Sequence, residues 1–326
     1  MPVLQVENLR THFFTKAGVV KAVDDVSFAV EAGKVLGLVG ESGSGKTVTG
    51  FSLMGLVDPP GRIVAGKVML DGEDLLKKSD DALRRLRGDR IAMIFQDPMM
   101  TLNPVLRVDT QMIETVVAHR PVEKSRAREL ALAALGRVGI PSPEERLLAY
   151  PHQLSGGMRQ RVAIAIALLN DPRVIIADEP TTALDVTIQA QILYEVQKLA
   201  RETGMALIWI THDLSVIAGL ADDVCVMYAG RVVESGPAND ILDRPLHPYT
   251  NGLINSIPSR NRRGQPLKQI PGMTPSLLRL PPGCPFRNRC ERAIDACLIA
   301  PGISVPRPGR TLRCFNPVPL AAEQSP

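Results

Sequence analysis

Cysteine, tryptophan and long apolar runs are all scarce in this chain of 326 residues, which holds five cysteines and one tryptophan. No stretch approaches the roughly 20 consecutive apolar residues that a membrane-spanning helix requires. The opening "MPVLQVENLRTHFF" carries an acid and no long apolar core, which argues against a signal peptide. Dense Lys/Arg blocks are missing too. With 38 basic and 34 acidic residues spread along the chain, the net charge is only +4. That is too mild to argue for nucleic acid as a partner. No internal repeat is present. The expected compartment is the cytosol, with any membrane contact made through partners. Glutathione keeps thiols reduced there, which disfavours disulfides.

What is present is an ordinary globular composition, 45% apolar and 22% charged, in a length that suggests about two domains. Short Val/Ile-rich runs alternate with longer helical patterns. "KVLGLVG" (34–40), "RIAMIF" (90–95), "RVIIAD" (173–178), "ALIWITH" (206–212) and "DVCVMYAG" (223–230) read as buried strands. Continuous apolar strands, each followed by a helix, predict a parallel sheet covered on both faces. "LQVENLR" and "AVDDVSFAV" read as strands of a smaller antiparallel layer at the front. From about residue 97 the texture becomes helical, in "VDTQMIETVVAHR" and "SRARELALAALGRVGI", which predicts a helical subdomain inserted at about 97–165. Beyond about residue 245 prolines accumulate and periodicity fades, so 246–326 reads as a separate, loop-rich extension.

"GESGSGKT" carries the first chemistry. It follows a predicted strand and precedes a predicted helix, the context a phosphate-binding loop requires. Gly40, Glu41, Ser42, Gly43, Ser44 and Gly45 would curl the backbone so that N–H groups face phosphate oxygens at a helix N-terminus. Lys46 would reach the β- and γ-phosphates, and the Thr47 hydroxyl would ligate Mg²⁺. "RVIIADEP" supplies a second element: Asp178 and Glu179 emerge at the carboxyl end of a buried strand, where α/β sheets place ligands. Asp178 suits the Mg²⁺ shell, and Glu179 suits a base for the attacking water. In "QLSGGMRQRVAIAIALL", Ser155 reads as an N-cap, with Gly156 and Gly157 opening a long helix and a second anion site. One nucleotide cannot easily use both helix starts within one subunit. Two subunits arranged head-to-tail can, each offering its second site to the other's γ-phosphate.

In these motifs and their order the sequence resembles the ATP-binding cassette ATPases over roughly residues 1–245. The resemblance implies an α/β fold: a P-loop NTPase core of the RecA-like kind with an antiparallel layer and the helical insertion. "FQDP" corresponds to the Q-loop, with Gln96 sensing Mg²⁺ and water. "LSGGM" is the signature, "TALD" the D-loop with Asp185, and "ITHD" the switch, with His212 on the γ-phosphate. Met158 stands where Gln is commoner, past the phosphate-contacting positions. An aromatic that stacks on adenine is implied before "AVDDVSF". Phe13 and Phe14 stand there; Phe14 is the candidate, with a core role as the alternative.

"FQDPMMTLNP", "YPHQLSGGMRQR", "HPYTNGL", "IPGMTPSL" and the spaced cysteines look like the ATPases of dipeptide, oligopeptide and nickel importers, most of all the dipeptide importer's first ATPase subunit. That likeness implies ATP and Mg²⁺ as cofactors, a second homologous ATPase, two membrane permeases and an extracytoplasmic substrate-binding protein. It places the chain peripherally, on the cytoplasmic side of the membrane. A nickel, opine or other small-solute importer is the alternative for cargo. A non-transport ATPase of this class would carry a long coiled coil or a second cassette, and neither is present.

Four of the cysteines, Cys284, Cys290, Cys297 and Cys314, fall in the Pro-rich extension with x5, x6 and x16 spacings. These lack the C-x2-C knuckles of zinc ribbons. A segment with little apolar material of its own gains from metal cross-linking. Four thiolates suit a [4Fe–4S] cluster or Zn²⁺, and the resemblance ranks the cluster first; unligated thiols are the remaining alternative. Arg287, Arg289, Arg292 and Arg313 are expected to offset thiolate charge. Nothing in the spacing links these cysteines to the phosphate site, so a structural or redox-sensing role is expected. Cys225, inside "DVCVMY", reads as a core residue.

Overall fold

A computed structural model describes residues 2–181, 184–258, 261, 264 and 268–319. The chain divides into two compact units. The first comprises Met1–Leu4, Ala29–Val35 and Met69–Trp209, and the second Gln5–Phe28, Leu36–Val68 and Ile210–Pro326.

In the first unit, strands Ile91–Ile94 and Val174–Asp178 run parallel, with Ile91 opposite Val174 and Ile94 opposite Ala177. Every residue of both strands is buried, as two-sided coverage demands of such unbroken apolar runs. Between them lie four helices, Val108–Val117, Lys124–Arg137, Pro143–Leu147 and Gly156–Leu168, with no strand among the described residues of this stretch. Lys124–Arg137 buries Ala127, Ala131, Ala134 and Leu135, a stripe at i, i+4 spacing that lets its neighbours approach closely. Val108–Val117 packs against this helix and buries Val108, Met112 and Val116. Helix Val186–Thr203 starts where the Asp185 carboxylate accepts the Ile188 N–H at 3.0 Å. It ends at Gly204, whose φ of 72° suits an achiral residue.

The second unit holds the phosphate-loop sequence. Strand Val35–Val39 pairs in parallel with Asp223–Tyr228, Leu36 lying opposite Asp223 and Val39 opposite Val226. Beyond this parallel pair the sheet continues in antiparallel strands that the sequence reading did not include. Asp223–Tyr228 pairs antiparallel with Arg231–Pro237, which pairs antiparallel with Arg310–Leu312, and Ser304–Arg307 completes the edge. A second set of neighbouring strands, Gly18–Val30, Leu4–Thr15 and Gly61–Leu70, forms the front layer.

The Pro-rich extension is therefore built into the sheet as two strands. Among its described residues, several contacts hold it in place. Phe286 is buried against Tyr228 and Tyr249, with ring centroids 5.2 and 5.3 Å away; burying such a ring contributes on the order of 1.5–3 kcal/mol. Arg310 donates to Glu234 at 2.6 Å in a fully buried ion pair. The same carboxylate accepts the N–H groups of Leu246 and His247 at 2.8 and 3.0 Å, so its desolvation is compensated on both oxygens. Arg313 donates to Asp25 at 2.6 Å.

His247 lies in this seam, fully buried, its Nδ1 accepting the Tyr249 N–H at 3.0 Å and its ring 5.9 Å from that of Phe286. Burial pushes its pKa down to about 4 from an ordinary value near 6.5. The folded state takes the neutral ring, whereas the unfolded chain binds a proton once the pH drops through 6.5. Stability from this group is therefore complete above pH 6.5 and is lost as the pH falls toward 4. Thermal unfolding between pH 6.5 and 5 should show a falling Tm. His247→Asn, which keeps a cap acceptor and removes the titration, should flatten that slope; equal slopes would rule the assignment out.

Candidate functional site

Strand Val35–Val39 ends at Gly40, and helix Lys46–Met54 begins after Gly45, so the loop occupies the expected strand–helix junction. Two glycines are obligatory for steric reasons. Gly40 has φ 152°, and a Cβ there would stand 2.2 Å from the Met227 carbonyl oxygen. Gly45 has φ 102°, and its Cβ would stand 2.2 Å from the Ala22 carbonyl oxygen. The loop is thus wedged between two backbones, and the Ser44 carbonyl accepts the Gly230 N–H at 2.9 Å. Lys46 folds back over the arc. Its Nζ donates to the carbonyls of Gly40 and Glu41 at 2.7 and 3.0 Å, and it is buried. Its ammonium is therefore already held inside the curve of the loop, where phosphate oxygens would add to its partners.

Glu41 is gripped from outside the loop. The Arg289 guanidinium donates Nη1 to Oε2 at 2.6 Å and Nη2 to Oε1 at 2.9 Å. Thr274 Oγ1 donates to the same carboxylate at 3.0 Å, and the Glu41 N–H donates to the Tyr249 hydroxyl at 2.8 Å. Desolvation works to raise the Glu41 carboxyl pKa, but the Arg289 fork and Thr274 outweigh it and hold the group below its ordinary range. Arg289 directly precedes Cys290, so the expectation that nothing links the cysteine segment to the phosphate site is overturned. Sequence reading missed Arg289, Thr274 and Tyr249 in these roles. The phrases "HPYTNGL", "IPGMTPSL" and "CPFRNRC" contained them, but a sequence does not say which carboxylate an arginine meets.

In the first unit, Asp178 is the buried last residue of its strand. Glu179 follows with φ 46°, a left-handed conformation that a non-glycine residue adopts only under constraint, and one found often at active sites. The Gln96 amide nitrogen donates to Glu179 Oε2 at 3.2 Å, so two of the predicted catalytic side chains meet. Ser155 caps helix Gly156–Leu168 as expected, its Oγ accepting the Met158 N–H at 3.2 Å, and Ser155 and Gly156 are exposed. Asp185 is likewise exposed. Its carboxylate accepts from Thr187 Oγ1 at 2.6 Å and from the Ile188 N–H, which lowers its pKa. Thr182 and Ala183 of "TALD" lie outside the described residues.

His212 is exposed directly after strand Ala206–Thr211. It belongs to the second unit, as do the phosphate loop, Thr47 and Phe14, whereas Gln96, Ser155, Gly156, Gly157, Asp178, Glu179 and Asp185 belong to the first. Phe13 packs where a Cβ on Gly61 would meet its ring at 2.6 Å, so it is occupied in packing. Phe14 is exposed with the Arg62 guanidinium 4.1 Å over its ring centroid.

Cys284, Cys290, Cys297 and Cys314 line one small cavity with His247, Phe286 and Arg287. Desolvation raises the thiol pKa of Cys284, Cys290 and Cys314, the last to about 11. Burial thus favours the neutral thiol at these three positions, and a metal would have to displace their protons. Among the described residues, no group of three or more His, Cys, Asp or Glu stands in metal-holding proximity. The expected role of the flanking arginines changes as well. Arg289 and Arg313 pair with Glu41 and Asp25, and Arg292 donates to Asn316 at 3.0 Å. Arg287 alone keeps a buried nitrogen, Nη1, with no hydrogen-bond partner. Cys225 is a core residue as read, its thiol pushed up to about 12 by burial.

Comparison with known proteins adds to this geometry. Residues 23–182 match the family model described as "ABC transporter", and residues 233–297 match "Oligopeptide/dipeptide transporter, C-terminal region". The chain is 49% identical over 315 residues to the oligopeptide transport ATP-binding protein OppD of Escherichia coli, covering 97% of this chain and 93% of that one. It is 48% identical over 315 residues to the dipeptide transport ATP-binding protein DppD of Bacillus subtilis, covering 96% and 94%. Among solved structures, the dimeric ATP-binding cassette MJ0796 bound to ADP and Pi matches with a TM-score of 0.66 and 27% identity, covering 72% of this chain and 98% of that one.

The wedge at Gly40 generates a test independent of any side-chain chemistry. Gly40→Ala must move either the loop or the Met227 carbonyl. Strain of this kind costs about 1–3 kcal/mol, so ATP affinity should fall about tenfold or more while far-UV circular dichroism stays unchanged. Wild-type affinity in Gly40→Ala would contradict the cradle as described.

Proposed function

Because the chain belongs to the ATP-binding subunits of ABC transporters, in the oligopeptide/dipeptide branch, we propose that it hydrolyses ATP to drive di- or oligopeptide import through partner permeases. The observation that carries this reading is the loop Gly40–Thr47, held open as an anion cradle with Lys46 folded across it.

Each side chain then has a task. The loop amides and Lys46 hold the β- and γ-phosphates, and Phe14 offers a ring for adenine. Thr47, Asp178 and Gln96 are the oxygen donors that suit Mg²⁺, which when bound would neutralise charge on the phosphates. Glu179 takes the proton of the attacking water or orients it, and its hydrogen bond from Gln96 fixes the direction of the carboxylate. His212 would contact the γ-phosphate. Ser155, Gly156, Gly157 and Asp185, at helix starts where all but the half-buried Gly157 are exposed, serve the nucleotide of a facing cassette; a dimeric structural relative supports that arrangement. A second homologous ATPase, two permeases and an extracytoplasmic substrate-binding protein complete the proposed assembly. Residues 1–245 form the nucleotide-binding domain in this reading, and 246–326 the extension. Among the described residues no helix is long and apolar enough to cross a membrane, so membrane contact would come through the permeases at the cytoplasmic face.

Glu179→Gln should abolish hydrolysis in the assembled complex and leave ATP binding intact, because the loop and Lys46 hold the nucleotide and the carboxylate acts on water. Trapped, ATP-bound cassette pairs should accumulate. Turnover near wild type would remove Glu179 from its role.

For the four cysteines the same reading proposes a [4Fe–4S] cluster, with structural Zn²⁺ as the alternative. Four thiols on one cavity beside the unpartnered Arg287 nitrogen support a thiolate-ligated, negatively charged group there. Anaerobic purification followed by iron, sulfide and zinc analysis should return iron and sulfide in cluster stoichiometry. Stoichiometric zinc without iron would replace the cluster, and a folded, metal-free extension would eliminate both.

A further inference from the structure

The Arg289–Glu41 pair joins two parts of the chain that the sequence separates by 248 positions. Glu41 is the first residue of the arc after Gly40, and its carbonyl oxygen already holds the Lys46 ammonium. Its side chain and its N–H are both bound from outside the loop, by Arg289, Thr274 and Tyr249. Arg289 is itself immobilised. It is buried, its Nε donates to the Pro271 carbonyl at 2.8 Å, and its guanidinium lies 5.8 Å from the Tyr228 ring centroid. It ends the short turn Arg287–Arg289, bracketed by Cys284 and Cys290.

We propose that Arg289 is a positioning residue for the phosphate loop: its two-pronged bond to Glu41 presets the loop for ATP and makes nucleotide affinity depend on the folded cysteine segment. Two physical effects act together. A planar guanidinium gripping both carboxylate oxygens fixes direction as well as distance, which a lysine at the same place would not. A loop already ordered before the nucleotide arrives loses less freedom on binding. Glu41 also places a negative charge on the element that must receive the phosphates, and Arg289 neutralises it. Removing the arginine alone therefore exposes a repulsive carboxylate, whereas removing both partners takes the repulsion away as well.

That asymmetry separates positioning from mere attachment of the tail. The proposal rests on the loop binding ATP, so the measurement is the Kd of a fluorescent ATP analogue with Mg²⁺ on the full-length chain, with Tm recorded for each variant. Arg289→Ala should weaken binding about tenfold or more, Arg289→Lys and Glu41→Gln about threefold. The double variant Arg289→Ala/Glu41→Gln should bind more tightly than Arg289→Ala alone. If Arg289→Ala does not fold, Arg289→Lys and Glu41→Gln decide the matter through the same Kd shift. Unchanged Kd in these two, or a double variant as weak as Arg289→Ala, overturns the positioning role. A wild-type chain that does not bind the analogue overturns the ATPase reading instead.

Discussion

Backbone N–H groups that converge on one point repel each other until an anion arrives, so a phosphate loop must be held in shape by its surroundings. Everything else here depends on that constraint. The chain meets it with backbone contact on two sides, at Ala22 and Met227, too close for any side chain on Gly45 or Gly40. Lys46 meets it from within, by bonding the carbonyls of Gly40 and Glu41 and so turning those peptides in a fixed sense. The tail meets it from outside, through Tyr249, Thr274 and Arg289 on Glu41. No single contact would suffice against a flexible Gly/Ser sequence, whose unfolded freedom is large.

The proposed reacting groups follow a different rule. Asp178 is buried at a strand end, and Glu179, one residue on, takes a left-handed conformation that turns the chain sharply away from the strand. The strand fixes one carboxylate by packing; the turn, with Gln96 as partner, aims the other. A helix start that binds anions is useful only where it is open, and Ser155 and Gly156 are open. The same is true of Asp185, which already caps a helix through its own carboxylate. Capped and open helix starts of this kind are what the proposed facing subunit would require.

Much of this was legible in the sequence because it obeys local rules. The five Val/Ile-rich runs became strands ending within two residues of the reading, since an unbroken apolar run has few other uses. Ser155 as a cap and Cys225 as core followed from residue type and immediate context. Strands Gly61–Leu70, Arg231–Pro237, Ser304–Arg307 and Arg310–Leu312 escaped notice, because glycine, proline or charge interrupts the apolar pattern by which a strand is read. The left-handed Glu179 was invisible as well, since nothing in "ADEP" announces a strained φ.

What the sequence did not show was how the Pro-rich tail is attached, and the cause is physical. Attachment runs through charge pairs of high sequence separation, and sequence periodicity carries no trace of them. Arg289 meets Glu41, Arg310 meets Glu234 and Arg313 meets Asp25, each across more than seventy residues. Phe286 is the main apolar anchor of the cysteine segment among its described residues. An apolar seam tolerates sliding, because its free energy depends on area and hardly on direction. A guanidinium–carboxylate fork does not slide: displacement by an ångström breaks one prong and strands a buried charge. The Arg289 fork on the phosphate loop, together with the single-pronged bonds of Arg313 to Asp25 and of Arg310 to Glu234, holds the tail in a single orientation. Only a tail fixed in that way can hold Glu41 at a set angle.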